Sequence, residues 1–134
     1  MKVKIYVIVI GAIILSVIYL QWGRNIEVCN TQVETGNDYC KQKITIIANR
    51  VWISDKEKFG YDMIQKCRDN SFDKIRFSYD LEQPSELIIQ VYTNRLWYRM
   101  GEPNFTVYFK NKDNDNDGRY NIVDNTEKFE MFIK

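Results

Sequence analysis

The hydrophobic pattern begins with an uncharged run from Ile5 to Trp22, which follows Lys2 and Lys4. The run is apolar all round, whereas a surface helix of a soluble protein has an apolar stripe on one side. At about 1.5 Å of rise per residue, a helix of about 18 residues nearly crosses a hydrocarbon layer of about 30 Å. The run therefore predicts a transmembrane helix, with the membrane as its partner through residues 5–22.

The flanks of this run favour a retained signal-anchor over a cleaved secretory signal. A cleaved signal usually has an apolar region of about 7 to 15 residues and ends at a small-x-small site. The residues from Leu20 to Arg24 offer no such site. Positive charge tends to remain in the cytoplasm, and Lys2 and Lys4 precede the run whereas only Arg24 follows it closely. We therefore expect a single-pass protein of the cell membrane, with a cytoplasmic N-terminus and an extracytoplasmic C-terminal domain.

Beyond the run, the spacing of apolar residues predicts one helix among several strands. Residues 43–53 are rich in β-branched side chains, which is typical of a strand. A capping box of Ser54 and Glu57 then predicts a helix, whose apolar positions recur at helical spacing: Phe59, Met63, Ile64 and Cys67. Later stretches alternate with a period of two, which predicts strands at 73–81, 87–92, 105–110 and, by a small margin over a helix, 126–134.

This order of elements predicts an α+β fold. We expect an N-terminal transmembrane helix followed by a small two-layer domain, in which one helix packs on a mostly antiparallel sheet of about four or five strands. The helix has one apolar stripe and covers one face of the sheet, so the other face is open to solvent or to a partner. The 134 residues leave room for one modest core. We divide the chain into an anchor (1–23), a membrane-proximal segment (24–42) and an extracytoplasmic domain (43–134).

Composition and charge exclude several classes of function. The 19 basic and 18 acidic residues give a net charge of +1, and this near balance argues against nucleic acid as a partner, because nucleic-acid binding needs a basic surface. The chain has no histidine, so the commonest general base and all histidine-ligated metal centres are absent. No nucleophile motif or cofactor fingerprint stands out, so an enzyme is disfavoured, although carboxylate, lysine or tyrosine chemistry stays open.

Two cysteines flank a short polar stretch after the anchor. Between Cys29 and Cys40, the residues Gly36 and Asn37 favour a turn that brings the flanking arms together. Thiols in an oxidising compartment tend to form disulfides, so the extracytoplasmic location favours a Cys29–Cys40 disulfide over two separate thiols. Cys67 lies on the apolar stripe of the predicted helix and is interpreted as a buried core residue.

One stretch carries the spacing of metal ligands. Asp113, Asp115, Asp117 and Gly118 match the D-x-[DN]-x-[DN]-G opening of a calcium loop. The stretch resembles an EF-hand loop in ligand spacing over about 12 residues, although its twelfth position is Asp rather than Glu. The resemblance implies six calcium ligands: Asp113, Asp115, Asp117, Arg119 through its carbonyl, Asn121 and Asp124. The alternative is an ordinary hairpin loop, since tight polar turns have the same composition.

An aromatic and basic stretch supplies the remaining candidate site. Residues 94–100 either continue the preceding strand or form another short one, and they contain Trp97, Tyr98 and Arg99. Trp, Tyr and Arg dominate the binding energy of protein interfaces, whereas core or edge packing is the alternative for the two rings. We therefore predict a non-catalytic interaction domain that presents this stretch and the open sheet face to a protein partner. A weak calcium-binding surface module is the alternative function, and the oligomeric state stays open.

Overall fold

A five-stranded sheet forms the centre of the computed structural model, which describes residues 1–37, 39–72, 75–77, 83–112 and 120–134. The strands lie side by side in the order in which they occur in the sequence. In chain order, the elements are α1 (Lys2–Trp22), β1 (Glu27–Thr35), β2 (Cys40–Ile47), α2 (Lys56–Asp69), β3 (Glu86–Tyr92), α3 (Arg95–Met100), β4 (Phe105–Asn111), a short 3-10 helix (Thr126–Lys128) and β5 (Phe129–Ile133).

The predicted α+β class is confirmed, with three α-helices among the described residues and a mixed sheet. The pairs β1–β2, β3–β4 and β4–β5 are antiparallel, whereas β2 and β3 are parallel. Helix α2 connects these two strands and returns the chain to the end of the sheet at which β2 begins. A long crossover of this kind is what parallel neighbours require.

Helix α2 covers one face of the sheet, as its apolar stripe predicts. The residues of the predicted stripe are all buried: Phe59, Met63, Ile64 and Cys67. They pack into one cluster with the inward side chains of four strands, which include Ile44, Ile89, Val107 and Phe129. The helix approaches the sheet closely at Gly60, where an added Cβ atom would lie 2.9 Å from Met131 Sδ and 3.3 Å from Val107 Cγ2. The core therefore lies between α2 and this face.

The ends of α2 are set by side-chain and backbone caps. The Asp55 carboxylate accepts a hydrogen bond from the Lys58 amide at 3.0 Å, so Asp55 is the N-cap and the predicted Ser54–Glu57 box is wrong. The aspartate provides the same acceptor one residue later in the chain. Asn70, the predicted stop, caps the other end with a left-handed backbone (φ 54°), a conformation that Asn tolerates better than most residues.

Two strand boundaries differ from the predicted ones. Most of residues 24–42 belongs to the sheet, since β1 and the first residues of β2 lie there, and the predicted boundary at residue 43 falls inside β2. The predicted strand at 43–53 ends early, at Ile47. Asn49 has a positive φ of 55°, and a left-handed residue cannot continue an extended strand. Its side chain instead donates to the Asn25 carbonyl at 2.7 Å.

Residues 95–100 form the helix α3, not the predicted strand. The Asn94 side chain accepts hydrogen bonds from the amides of Leu96 and Trp97, at 3.1 and 3.3 Å. Gly101 ends the helix with a φ of 90°, which glycine adopts without steric cost. These two caps outweigh the strand preference of the aromatic residues between them.

The last predicted strands have different outcomes. The strands predicted at 87–92, 105–110 and 126–134 are present as β3, β4 and β5, the last of these after the short 3-10 helix. The strand predicted at 73–81 lies largely outside the described residues. Its described part, 75–77, is not in a strand.

Helix α1 lies outside the domain core. Among the described residues, it is the one helix long and apolar enough to cross a membrane. None of the residues in its most apolar window is buried against the rest of the chain. The core cluster includes no residue of α1, so the apolar window of the helix has no covering from the described part of the protein.

Candidate interaction surface

The last turn of α1 meets the body at one end of the sheet, which we call the proximal end. Strand β1 begins there, because Glu27 pairs with Ile47 at the close of β2. The parallel strands β2 and β3 both end there, so the segment 48–55 and helix α3 leave the sheet on this side. Strand β4 also begins there, with Phe105 paired to Val91. The proximal end therefore gathers α1, the 48–55 segment and α3.

The side chain of Gln21 fastens α1 to the 48–55 segment. Its Oε1 atom accepts hydrogen bonds from the amides of Val51 and Trp52 at 2.8 and 3.1 Å, and its Nε2 atom donates to the Trp52 carbonyl at 2.8 Å. Gln21 is the one buried residue of α1. The sequence signals this contact only by placing one amide side chain between Leu20 and Trp22, and sequence analysis missed it.

Aromatic packing adds to the contact between α1 and the 48–55 segment, which we call the junction. The rings of Trp22 and Trp52 meet edge to face with centroids 6.4 Å apart, a favourable geometry for aromatic pairs. A cavity of about 660 Å³ lies on the other side of the junction, between the end of α1 and the start of β1, and is lined by Tyr19, Arg24 and Arg95 among others. Arg95 is already engaged there, since its guanidinium lies 2.9 Å from the Glu27 carboxylate. Of the two arginines that line the cavity, Arg95 is therefore paired, whereas the Arg24 Nε atom is buried without a hydrogen-bond partner among the described residues.

The predicted interface residues Trp97, Tyr98 and Arg99 lie together on α3, at the proximal end. The rings of Trp97 and Tyr98 are each 42% exposed, and neither belongs to the core cluster. Tyr98 rests edge to face on Tyr92 of β3, with ring centroids 5.1 Å apart. Both rings are therefore accessible to solvent, and their part in binding stays a prediction.

The open face of the sheet carries a row of alternating charge that sequence analysis missed. One residue from each strand contributes, and from β1 to β5 the row reads Glu34, Lys41, Glu86, Lys110 and Glu130. Glu86 is buried at the centre of the row, 3.8 Å from Lys41 Nζ and 3.4 Å from Lys110 Nζ. Two flanking ammonium groups stabilise this buried carboxylate. The signal in the sequence is charge at matching positions of paired strands, which becomes visible only once the register is known.

An apolar strip lies beside the charged row. It crosses β3, β4 and β5 at Ile88, Tyr108 and Phe132, which are register partners in turn. Phe132 is 46% exposed, and the other two are half-buried. The ammonium groups of Lys110 and Lys134 lie 5.0 and 5.6 Å from the centroid of the Tyr108 ring, within range of a cation–π contact. No helix among the described residues covers this strip.

The predicted Cys29–Cys40 disulfide is wrong. Both residues are thiols, with Cys29 exposed on β1 and Cys40 buried at the start of β2. The hairpin register pairs Cys40 with Thr35, six positions along β1 from Cys29. At about 3.3 Å per strand residue, roughly 20 Å separates the two positions, whereas a disulfide needs Cα atoms within about 7 Å. The turn does bring the arms together, but in a register that keeps the sulfur atoms apart.

Desolvation raises the pKa of two thiols, one enclosed in the core and one on the exposed strand β1. Desolvation raises the pKa of Cys67 far above its ordinary value, since the side chain is enclosed by the core. This agrees with the interpretation of Cys67 as a core residue. Desolvation also raises the pKa of Cys29, and the nearby Glu27 carboxylate adds to the effect. Both groups therefore stay protonated at neutral pH, which lowers their reactivity because the thiolate is the nucleophile.

Four of the predicted calcium ligands lie outside the described residues: Asp113, Asp115, Asp117 and Arg119. The other two, Asn121 and Asp124, lie at the end of the sheet opposite α1, where the Arg68 side chain holds the neighbouring Ile122 carbonyl at 2.8 Å. Asn121 Oδ1 accepts hydrogen bonds from the amides of Val123 and Asp124, at 3.0 and 2.7 Å. Within the described ranges, no three acidic or cysteine side chains cluster as a metal site requires. The calcium site stays a prediction.

Comparison with known proteins finds no relative of this chain. No family model, curated protein or solved structure matches the chain.

Proposed function

We propose that the protein is a single-pass membrane protein whose helix α1 holds a small, non-catalytic interaction domain at the outer surface of the cell membrane. The observation that carries the proposal is the uncovered state of α1. The helix leaves about five turns of apolar side chains without contact to the domain core. Soluble monomers rarely expose apolar patches larger than a few hundred Å², and a bilayer is the surrounding that covers a helix apolar on every side.

The junction at the proximal end supports a retained anchor over a cleaved one. Cleavage after α1 would remove Gln21 and leave the amides of Val51 and Trp52 without their acceptor. These hydrogen bonds are partly buried, and the loss of one such bond typically costs about 0.5 to 1.5 kcal/mol. The end of α1 is therefore part of the folded domain, which favours a mature chain that keeps it. The orientation, with the domain extracytoplasmic, follows from Lys2 and Lys4 before the helix.

The open sheet face is the proposed protein-binding surface. Its apolar strip of Ile88, Tyr108 and Phe132 borders the row of alternating charge. Apolar side chains that could anchor a partner therefore lie next to charges that could set the partner's alignment on the face. Interfaces combine these two features, with apolar anchors supplying affinity and charges supplying specificity. A protein partner with an apolar ridge beside alternating charges of the complementary order fits this face.

Thiol labelling tests the anchor and its orientation. We expect a membrane-impermeant maleimide to label Cys29 from outside intact cells, and the protein to stay with the membranes in alkaline carbonate. Because the pKa of Cys29 is raised, the thiolate fraction and hence the labelling rate should keep rising as the pH passes 9.0, the ordinary value for a thiol. A Cys29→Ser variant is the control, since Cys40 and Cys67 are buried. Labelling only after the cells are opened would show the opposite orientation.

Photocrosslinking tests the sheet face. A photoreactive phenylalanine analogue at Phe132, on the open face, should give an adduct with one membrane-associated protein in living cells. The same analogue at Tyr61, an exposed aromatic position on α2 in the other layer, is the matched control. We expect the Phe132 adduct to be absent at Tyr61. Equal adducts at both positions, or none at Phe132, would contradict a partner on this face.

A further inference from the structure

All three tryptophans of the chain lie at the proximal end. Trp22 closes α1, Trp52 lies in the segment that Gln21 fastens, and Trp97 lies on α3. The first two rings are in contact, and Trp52 and Trp97 line one shared cleft with Val51. The domain uses no tryptophan in its core. The ring type that prefers the boundary between lipid and water is thus concentrated where the helix leaves the body.

Several side chains near these rings are apolar and exposed, although Lys56, Thr93 and Asn104 also line the shared cleft. Leu96 and Met100 of α3 are 67% and 64% exposed, Trp52 is 46% exposed, and Val51 is 44% exposed. Four large apolar side chains exposed beside Trp97 form a patch that a monomer in water would be expected to cover. Tyr98 packs back on Tyr92 and fixes the orientation of the short helix. The patch is therefore held in place by the sheet.

This patch lies beside the last turn of α1, the helix that the proposed function places in lipid. Gln21 binds both amides of the 51–52 pair directly, so Trp52 lies level with the last turn of α1. The Asn94 side chain contacts the Arg50 carbonyl at 3.4 Å and ties α3 to the same segment. The patch is thus continuous with the surface of α1 rather than a separate site elsewhere on the domain.

The charges of α3 suit a phospholipid surface. The helix carries Arg95 and Arg99 and no acidic residue. Arg95 already pairs with Glu27, whereas Arg99 lies exposed in the last turn. An arginine beside inserted apolar side chains can donate to lipid phosphate oxygens, and this arrangement of Trp, Leu and Arg is typical of helices that lie in the headgroup layer.

We propose that the proximal end docks into the headgroup layer of the bilayer that α1 spans, with Trp52, Trp97, Leu96 and Met100 inserted among the lipids. This inference rests on the proposed function, because the bilayer must surround α1. It assigns the α3 stretch to lipid and leaves the open sheet face for a protein partner. The domain therefore lies against the membrane instead of standing free above it.

Depth-dependent quenching of single tryptophans tests the docking. The full chain is placed in phosphatidylcholine vesicles as three variants, each of which keeps one tryptophan and has Trp→Phe at the other two. Shallow-brominated lipids should quench Trp22, Trp52 and Trp97 alike, with loss of emission and little loss to aqueous iodide. Each Trp→Phe change keeps a ring in place, so the folds of the three variants can be compared by circular dichroism.

The three variants separate the two proposals. Quenching of Trp22 by lipid with Trp52 and Trp97 open to iodide would overturn the docking and leave the anchor intact. A Trp22 that lipid does not quench would overturn the anchor itself. Shielding of Trp97 in native membranes but not in pure lipid vesicles would show that α3 binds a protein, and the docking would again be wrong.

A charge variant supplies the second measurement. Leu96→Asp with Met100→Asp places two carboxylates in the patch without touching the core, so Trp97 should lose its lipid quenching and gain quenching by iodide. Val33→Asp is the matched control, because Val33 is 61% exposed near the opposite end of β1. We expect Val33→Asp to change neither signal. Unchanged lipid quenching of Trp97 in the Leu96 and Met100 variant would contradict the docking.

Discussion

Replacing Ile10 and Ile14 with arginine is expected to remove the protein from the membrane fraction. Both residues lie in the middle of α1 and are more than half exposed, in contact with no part of the core cluster. An arginine at the centre of a membrane-spanning helix costs about 2.5 to 3.5 kcal/mol on insertion scales, so the pair costs about 5 to 7 kcal/mol. Carbonate extraction of membranes, with the intact mass of the product, measures the result.

The matched control for this variant is Ile10→Leu with Ile14→Leu. It changes the same two positions and keeps the helix apolar, so the protein should remain in the membrane fraction. The intact mass separates the retained anchor from a cleaved signal, because a cleaved product lacks residues 1–22. Wild-type protein recovered from the aqueous fraction with its N-terminus uncut would contradict the anchor.

Ile89→Ala is expected to destabilise the domain more than any surface change considered above. Ile89 is fully buried in β3 under α2. Truncation of a buried isoleucine costs about 2 to 5 kcal/mol, a large part of the 5 to 15 kcal/mol that typically holds a domain together. The melting temperature in detergent should fall by roughly 8 to 40 °C, given about 4 to 8 °C per kcal/mol for a domain of this size.

Ile88→Ala is the control, with the same residue type one position earlier on the opposite face of the same strand. Because Ile88 is half-buried on the open face, its truncation should cost about 1 kcal/mol. The two variants should also differ in binding, since Ile88 belongs to the apolar strip that the proposed partner contacts. Equal losses of stability would mean that α2 does not define the buried face.

Local patterns predicted the elements whose periodicity is set by burial. The stripe of α2 and the alternation of β4 follow from one face being covered, so the sequence displays the same period as the structure. β1 was missed because most of its side chains are exposed, and a strand exposed on both faces has no apolar alternation. α3 was missed because the caps Asn94 and Gly101 outweigh the strand propensity of Trp97 and Tyr98.

Long-range relations account for the remaining differences. The Cys29–Cys40 disulfide failed because its geometry depends on a hairpin register that the turn residues alone do not determine. The contact of Gln21 with residues 51–52 spans about thirty positions of sequence, and no local pattern encodes it. The charged row around Glu86 similarly appears only when five strands are aligned. The candidate surfaces therefore emerge from pairing, even though the residues that compose them are common ones.

The connection between α1 and the sheet has a consequence for reach. Only residues 23–26 separate Trp22 from the first residue of β1. Just before them, Gln21 is hydrogen-bonded to residues 51 and 52 of the domain. This short, hydrogen-bonded link limits the movement of the domain relative to α1, and the domain itself is small, since the eight residues of β2 span about 26 Å. With α1 in a bilayer as proposed, a partner on the open face would therefore bind close to the lipid surface.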